Sequence, residues 1–192
     1  MIRRLYDWTL ALAAHPRALW ALAFVSFIES SVFPIPPDVM LIPMVLAAPR
    51  RAWLYALVCT LASVAGAGLG YAIGYFAFES IGEPVLTALG KADNFEGFTA
   101  RYNEFGAWAV LVAGVTPFPF KVMTILSGAT GLSLPVFIFS SLVARGIRFF
   151  VVAGLLRVFG EPIRAFIEKR LSLVFTVGVA LLIGGFAAVR YL

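Results

Sequence analysis

Five charged residues lie inside otherwise apolar stretches of this sequence, and their types are those that handle anions and protons. They are Glu29, Asp38, Lys121, Arg145 and Arg148. An ionisable side chain near the centre of a bilayer costs about 2.5–3.5 kcal/mol or more, which makes a functional role the default hypothesis. A desolvated carboxylate favours its neutral form, so we expect the two acids to bind and release protons near neutral pH. Arginine binds phosphate through paired hydrogen bonds, which favours the two arginines as anion ligands.

The composition predicts that lipid surrounds these charges. Of the 192 residues, 61% are hydrophobic and only 13% are charged, whereas a soluble domain is about 25% charged. The basic residues behind the net charge of +5 lie between apolar segments, a pattern typical of membrane loops and not of a nucleic-acid site. A single cysteine, Cys59, and a single histidine, His15, indicate no metal site. We predict a multi-pass, all-α protein of the inner (plasma) membrane without a cofactor.

Three apolar segments are long enough to cross a bilayer. They are Trp53–Phe78, Leu134–Leu156 and Leu171–Val189, and each meets the length of about 20 residues that a hydrocarbon core of about 30 Å requires. Leu5, Trp8 and Leu12 at helical spacing predict a further short helix that lies in the interface near the N-terminus.

A proline-rich break divides the apolar region before the first span. The runs 18–28 and 39–49 flank Pro34, Pro36 and Pro37. Each run would form about 16 Å of helix, half a bilayer. Prolines, which also constrain the residues before them, interrupt the helix near the midplane. This pattern predicts a re-entrant hairpin whose tip is buried in protein.

The same design recurs 83 residues later. The runs 105–116 and 122–126 flank Pro117 and Pro119, and the motif P-x-P followed by V-M and I is shared at a constant offset of 83. Each copy comprises a hairpin and one span, an odd number of crossings, so the second copy should be inverted. Interrupted segments at matching positions of inverted halves are typical of a transporter's binding site.

The repeat gives the predicted organisation of one membrane domain. Residues 1–78 hold the N-terminal helix, the first hairpin and a span, and 79–104 form an acidic amphipathic linker. Residues 105–158 hold the second hairpin and a span, and 159–192 a basic loop and the last span. The charges of the loops predict an external linker, an internal N-terminus and an external C-terminus.

Each charged residue also has a simpler interpretation. Asp38 has the position of a helix cap, and Lys121 has a stem long enough to reach the interface. Since Asp38 and Lys121 occupy equivalent repeat positions, we expect them to be neighbours of opposite sign. Arg145 and Arg148 share a helical face, and they should either pair with Glu29 and Asp38 or meet an anionic ligand; a purely structural ion pair is the alternative.

Small residues in the first span predict close helix packing. Gly66, Gly70 and Gly74 form a GxxxGxxxG stripe, and such stripes allow helices to approach in lipid. The glycines lack the following Lys-Ser/Thr of a phosphate-binding loop, which excludes a nucleotide site of that kind.

The motifs resemble those of the DedA membrane protein family of the VTT-domain superfamily. The segment F-I-E-S-S-V-F-P-I-P-P-D at 27–38 looks like the family's acidic E-x4-P-x-P-x-[E/D] hairpin. The segments at 114–121, 127–128 and 144–150 resemble its small YqaA-like branch. The resemblance implies two opposed re-entrant hairpins, proton-dependent membrane homeostasis, and translocation of lipids such as undecaprenyl phosphate and phospholipids. It assigns the family's essential acidic pair to Glu29 and Asp38, whereas the family's arginine pattern is not matched around Lys121.

The sequence therefore predicts a proton-linked translocase of anionic lipids, with membrane lipids and protons as its partners. A proton-coupled carrier of a small ion or metal, and an assembly factor without transport, are the alternatives. A lipid-phosphate enzyme is disfavoured because no histidine base or metal cluster is present. The sequence leaves open whether the chain forms a homo-oligomer.

Overall fold

The computed structural model describes residues 17–33, 36–82, 84, 92–116 and 119–169, and the regular elements in these ranges are helices. The predicted N-terminal interfacial helix and the predicted span Leu171–Val189 lie outside the described residues, as do Pro34 and Pro117.

Six α-helices make up most of the described chain. In order they are α1 (Ala18–Ser31), α2 (Asp38–Ala47), α3 (Ala52–Ala77), α4 (Ala92–Val115), α5 (Phe120–Ala129) and α6 (Leu134–Lys169). A 3₁₀ turn, Pro49–Arg51, precedes α3, and a π turn, Phe78–Gly82, follows it. Two stretches, Pro49–Ala77 and Leu134–Gly160, are long and apolar enough to cross a membrane. The helix α6 bends at Phe159, three residues before Pro162, whose ring and missing N–H disrupt a helix.

The helix ends follow from local sequence. Prolines precede α2 and α5, and both helices begin directly after a proline, Pro37 and Pro119. Gly131 ends α5 with a φ of 62°. Its N–H donates to Gly128 O at 3.0 Å while Leu132 N–H donates to Ser127 O at 3.0 Å, which is the Schellman pattern of helix termination.

The repeat seen in the sequence is also present in the helix boundaries. Shifted by 83 residues, α2 (38–47) becomes 121–130, against the observed 120–129 of α5. In the same way α3 becomes 135–160, the apolar part of α6 that ends at its bend. The helix α1 shifts onto 101–114, the second half of α4.

The helix α4 is longer than the predicted run. It extends without interruption from Ala92, so the boundary that we placed between 104 and 105 falls inside a helix. The amphipathic linker helix and the apolar run are thus continuous, because no proline separates them.

The two long helices run antiparallel. The ring of Trp53, at the start of α3, lies 5.8 Å from Phe150, whereas the ring of Tyr71, near its end, lies 5.1 Å from Phe137. Residue numbers therefore rise along α3 as they fall along α6. Because these helices are equivalent in the repeat, the second copy is turned over relative to the first.

The short helices α1 and α5 lie one after the other along α3. A Cβ added at Gly66 would overlap the backbone of Phe27 in α1, and one added at Gly74 would overlap the backbone of Ile125 in α5. Between them, Gly70 faces both Ser30 and Thr124. The glycine stripe is thus the surface along which both half-length helices contact α3.

The second proline break reverses the chain. Tyr102 of α4 and Ser127 of α5 are hydrogen-bonded through their hydroxyls at 2.9 Å, and Asn103 Nδ2 donates to Thr130 O at 2.9 Å. The end of α5 therefore lies beside the middle of α4, and the two helices form a hairpin. The helix α2 packs against α6, and this contact is the repeat equivalent of the contact between α5 and α3.

Candidate functional site

Arg145 is fully buried near the middle of α6, with an exposed fraction of 0%. Its Nη2 forms an ion pair with Glu29 Oε2 of α1, and its Nε donates to Ser63 Oγ of α3 at 2.6 Å. The Glu29 side chain is itself only 14% exposed. A charge buried this deeply is tolerated only with a partner and hydrogen bonds, and α1 and α3 supply both.

Two serines link Arg145 and Glu29 through a second, hydrogen-bonded path. Ser30 Oγ donates to Glu29 Oε2 at 3.0 Å, and Ser30 Oγ and Ser63 Oγ are 2.6 Å apart. A hydroxyl has one hydrogen to donate, and that of Ser30 is used by Glu29. Ser63 is therefore the donor to Ser30, and the hydrogen bonds run in one direction from the guanidinium to the carboxylate.

Two phenyl rings enclose the guanidinium of Arg145. Its Cζ lies 4.8 Å from the ring centroid of Phe120, the first residue of α5, and 4.9 Å from that of Phe149 in α6. Within the described part of the chain, Arg145 Nη1 is buried and has no hydrogen-bond partner. The rings supply cation–π attraction in its place. Glu29, which precedes the first proline break, and Phe120, which follows the second, thus meet at one arginine.

Arg148 bonds a residue beside each of the two proline breaks. Its Nη2 pairs with Asp38 Oδ2 at 2.7 Å, and its Nη1 donates to Thr116 O at 3.2 Å. Asp38 begins α2, and Thr116 directly follows α4. The two charged side chains are 20% and 23% exposed, so this pair is more accessible than the one formed by Arg145.

We expected Asp38 and Lys121 to be neighbours of opposite sign, and in the part of the chain that the structure describes they form no ion pair with each other. Lys121 Nζ donates to Val32 O at the end of α1, at 3.3 Å. Lys121 bonds protein backbone and the carboxylate of Asp38 bonds Arg148, while the two arginine–carboxylate pairs are compatible with the alternative of purely structural ion pairs.

The physical reason lies in the repeat itself. Lys121 is the second residue of α5 and lies beside the end of α1, so that its ammonium donates directly to the carbonyl of Val32. Asp38 has the equivalent place in the other copy, near the carbonyl end of α4, but a carboxylate cannot donate to a carbonyl. Arg148 donates to both groups and resolves the conflict.

Sequence reasoning missed the neutral part of the site. Ser30, Ser63 and Phe120 hold the buried pair, and Thr124 Oγ1 lies 3.1 Å from Ser30 O. Ser63 is the one serine in the segment Trp53–Phe78, and a hydroxyl in a charge-free span was the available signal. Its partner could not be deduced, because α1, α3 and α6 meet only in the fold.

The arrangement brings two guanidinium groups and two carboxylates together. The side chain of Arg148 is partly exposed, and its two Nη atoms bond Asp38 and Thr116 O. Within the described ranges, no group of three or more His, Cys, Asp or Glu residues is placed to hold a metal ion.

Comparisons with known proteins agree with the motifs. The model of the VTT domain matches residues 35–158. An uncharacterized protein of Haemophilus influenzae is 37% identical over 170 residues, covering 88% of each chain. An uncharacterized homologue from Histophilus somni is 36% identical over 170 residues, with 88% of each chain covered. No solved structure matches this chain.

Proposed function

Because the chain belongs to the VTT-domain family, the DedA family of membrane proteins, we propose that it is a proton-linked translocase of anionic lipids such as undecaprenyl phosphate or phospholipid. The family supports a membrane, transporter-like or lipid-related role and is not generally one of enzymes. The inner membrane as its location, and the lipid as its cargo, belong to the proposal.

One observation carries the proposal. Two arginines one helical turn apart in the middle of a candidate span pair with two carboxylates, each from a different part of the first hairpin. Charges at such a depth are expensive in lipid. Retaining four of them at the meeting point of interrupted helices is the design of a site that handles charge within the membrane.

The proposed membrane arrangement follows from the antiparallel long helices. The helices α3 and α6 cross the bilayer in opposite directions, and each proline break belongs to a re-entrant hairpin whose tip reaches the midplane. The sequence predicts a third crossing at Leu171–Val189, which lies outside the described residues. In this arrangement the headgroup passes between the hairpin tips while the acyl or prenyl chain stays in lipid.

The charges have separate tasks in this scheme. Arg148 and Lys121, which are partly accessible, attract the headgroup phosphate, and Arg148 offers two donors to one phosphate group. Asp38 takes up a proton when the phosphate replaces it on Arg148. Arg145 and Glu29 hold the interior together, and the hydroxyls of Ser30 and Ser63 complete their hydrogen bonds.

A headgroup-flip assay in proteoliposomes tests the proposal. Wild-type protein should accelerate the flip of a fluorescent anionic lipid, with a rate that depends on an imposed pH gradient. Asp38→Asn should reduce the rate to that of protein-free liposomes while leaving membrane insertion intact, since it removes the proton site. Glu104→Gln, which makes the same change at an exposed position, serves as the matched control and should retain the wild-type rate.

Two results would contradict the lipid proposal. Absence of flip at every pH gradient and with every lipid tested is the first. Proton-coupled flux of an ion without flip is the second, and it would favour a small-ion or metal carrier.

A further inference from the structure

The two proline breaks form two joints that are equivalent in the repeat. We define joint A as the place where the end of α1 meets the start of α5, and joint B as the place where the end of α4 and the start of α2 are brought together by Arg148. At joint A the residue that follows α1, Val32, bonds the second residue of α5, Lys121, and at joint B the residue that follows α4, Thr116, and the first residue of α2, Asp38, both bond Arg148.

Joint A is held by direct bonds between its two helices. Thr124 Oγ1 of α5 lies 3.1 Å from Ser30 O and 2.8 Å from Lys121 O, so its one hydrogen can be donated to either carbonyl, and Lys121 Nζ donates to Val32 O at 3.3 Å. Thr124 and Ser30 are both fully buried, with exposed fractions of 0%.

Joint B has no such bonds. Within the described residues, no hydrogen bond joins α2 to α4; the bridge is Arg148, which belongs to α6 and contacts Asp38 and Thr116. These bonds are made by charged groups that are 20% and 23% exposed.

The contacts with the long helices, which α5 makes with α3 and α2 makes with α6, show the same asymmetry. Along α3, Gly74 brings the backbone of α5 into contact and Gly70 faces the side chain of Thr124, while Gly128 of α5 fits against the backbone of Tyr71. The positions of α6 that correspond to Gly66, Gly70 and Gly74 are Phe149, Ala153 and Arg157. Accordingly, α5 packs more extensively on α3 than α2 packs on α6.

From this asymmetry we propose that joint B opens and joint A stays closed. The helix α2 moves away from α4 and α6, which breaks the Arg148–Asp38 pair and releases Arg148 from Thr116. The freed Nη1 and Nη2 atoms are the binding site for the phosphate of an anionic lipid headgroup. This inference rests on the proposed function for its ligand, but the opening itself can be measured without any transport.

Two methionines report on the joints as a matched pair. Met40 in α2 and Met123 in α5 are equivalent in the repeat and are 8% and 9% exposed. Each is replaced by cysteine, as Met40→Cys or Met123→Cys, in a chain that carries Cys59→Ser so that no other thiol is present. The full-length protein in proteoliposomes then reacts with a small water-soluble methanethiosulfonate, and the rate of labelling is measured.

We expect Met40→Cys to react about tenfold faster than Met123→Cys, since local opening exposes only the less firmly held element. Adding Arg148→Gln should raise the rate at position 40 by roughly another tenfold, because it removes charged hydrogen bonds, and leave position 123 unchanged. Arg148→Lys, which keeps the charge, should raise the labelling rate at position 40 by a smaller factor than Arg148→Gln. Monodispersity in detergent verifies that each variant is folded.

Equal labelling at the two positions, faster labelling at 123, or a rate at 40 that ignores Arg148→Gln would overturn the inference. A protein that shows the expected labelling and no lipid flip would refute the proposed function and leave the opening of joint B intact. Lipid flip without a difference in labelling between positions 40 and 123 would refute the opening of joint B and leave the proposed function intact.

Discussion

At the scale of residues, the two ion pairs have different physical roles because their burial differs. Arg145 is completely enclosed, its Cζ lies 4.8 and 4.9 Å from the ring centroids of Phe120 and Phe149, and its Nη1 has no acceptor among the described residues. Arg148 and Asp38 retain some exposure. Removing one partner of a buried pair leaves an uncompensated charge, whereas a partly accessible charge can be solvated.

The buried pair should therefore show strong energetic coupling. Glu29→Gln alone should lower the free energy of unfolding by about 3 kcal/mol, because it leaves the Arg145 guanidinium buried without a counter-ion. The double variant Glu29→Gln with Arg145→Gln should cost clearly less than the sum of the two single changes. Unfolding in mixed micelles measures this, with Asp38→Asn as the comparison at the more accessible pair. Additive costs for the buried pair would contradict the role assigned to it.

At the scale of elements, the glycines of α3 determine where α1 and α5 lie. Gly66 and Gly74 face backbone of α1 and α5 at a distance that leaves no room for a Cβ, whereas a Cβ at Gly68 would meet only Ile138 Cδ1, at 3.9 Å. Helix association in membranes depends on this close packing because lipid provides no hydrophobic driving force between helices.

The packing gives a prediction with a control in the same helix. Gly66→Ala and Gly74→Ala should each destabilise the protein by about 1–3 kcal/mol, since the added methyl group forces the neighbouring backbone to shift. Gly68→Ala should be neutral or slightly stabilising, because alanine is the better helix former and its Cβ makes an ordinary contact. Thermal unfolding in detergent compares the three variants. A similar loss at all three positions would mean that the stripe is not the contact surface.

At the scale of the whole molecule, the inverted repeat places equivalent loops at opposite ends. The turn before α3 contains Arg50, and the turn before α6 contains Ser133; both residues are exposed. Since α3 and α6 run antiparallel, their starting ends are far apart along the long axis. In a membrane these turns would face opposite compartments.

Labelling from each side of the membrane tests this arrangement. In the Cys59→Ser background, Arg50→Cys should react with an impermeant thiol reagent only from the cytoplasmic side, as the positive charge of its loop predicts. Ser133→Cys should react only from the external side. Spheroplasts and inverted vesicles provide the two orientations. Reaction of both positions from one side would exclude the inverted insertion.

Much of the local structure could be predicted from the sequence because its causes are local. Prolines interrupt helices through their own ring and missing N–H, so the breaks between α1 and α2 and between α4 and α5 were evident, as were the two long apolar helices. The offset of 83 residues was visible in the motif alone. The length of α4 was not, since an amphipathic segment and an apolar run can join without any signal at the junction.

The sequence by itself determined that charge is carried into apolar helices near two proline breaks. Only the tertiary structure decided which charges meet. Asp38 and Lys121 are equivalent in sequence and were expected to be neighbours of opposite sign, yet each bonds a different partner, Arg148 and Val32 O respectively. The ammonium of Lys121 donates directly to the carbonyl of Val32. The carboxylate of Asp38 cannot donate to a carbonyl, and Arg148 donates both to Asp38 and to Thr116 O. Pairing depends on which donor reaches which acceptor in space, and no spacing along one chain contains that information.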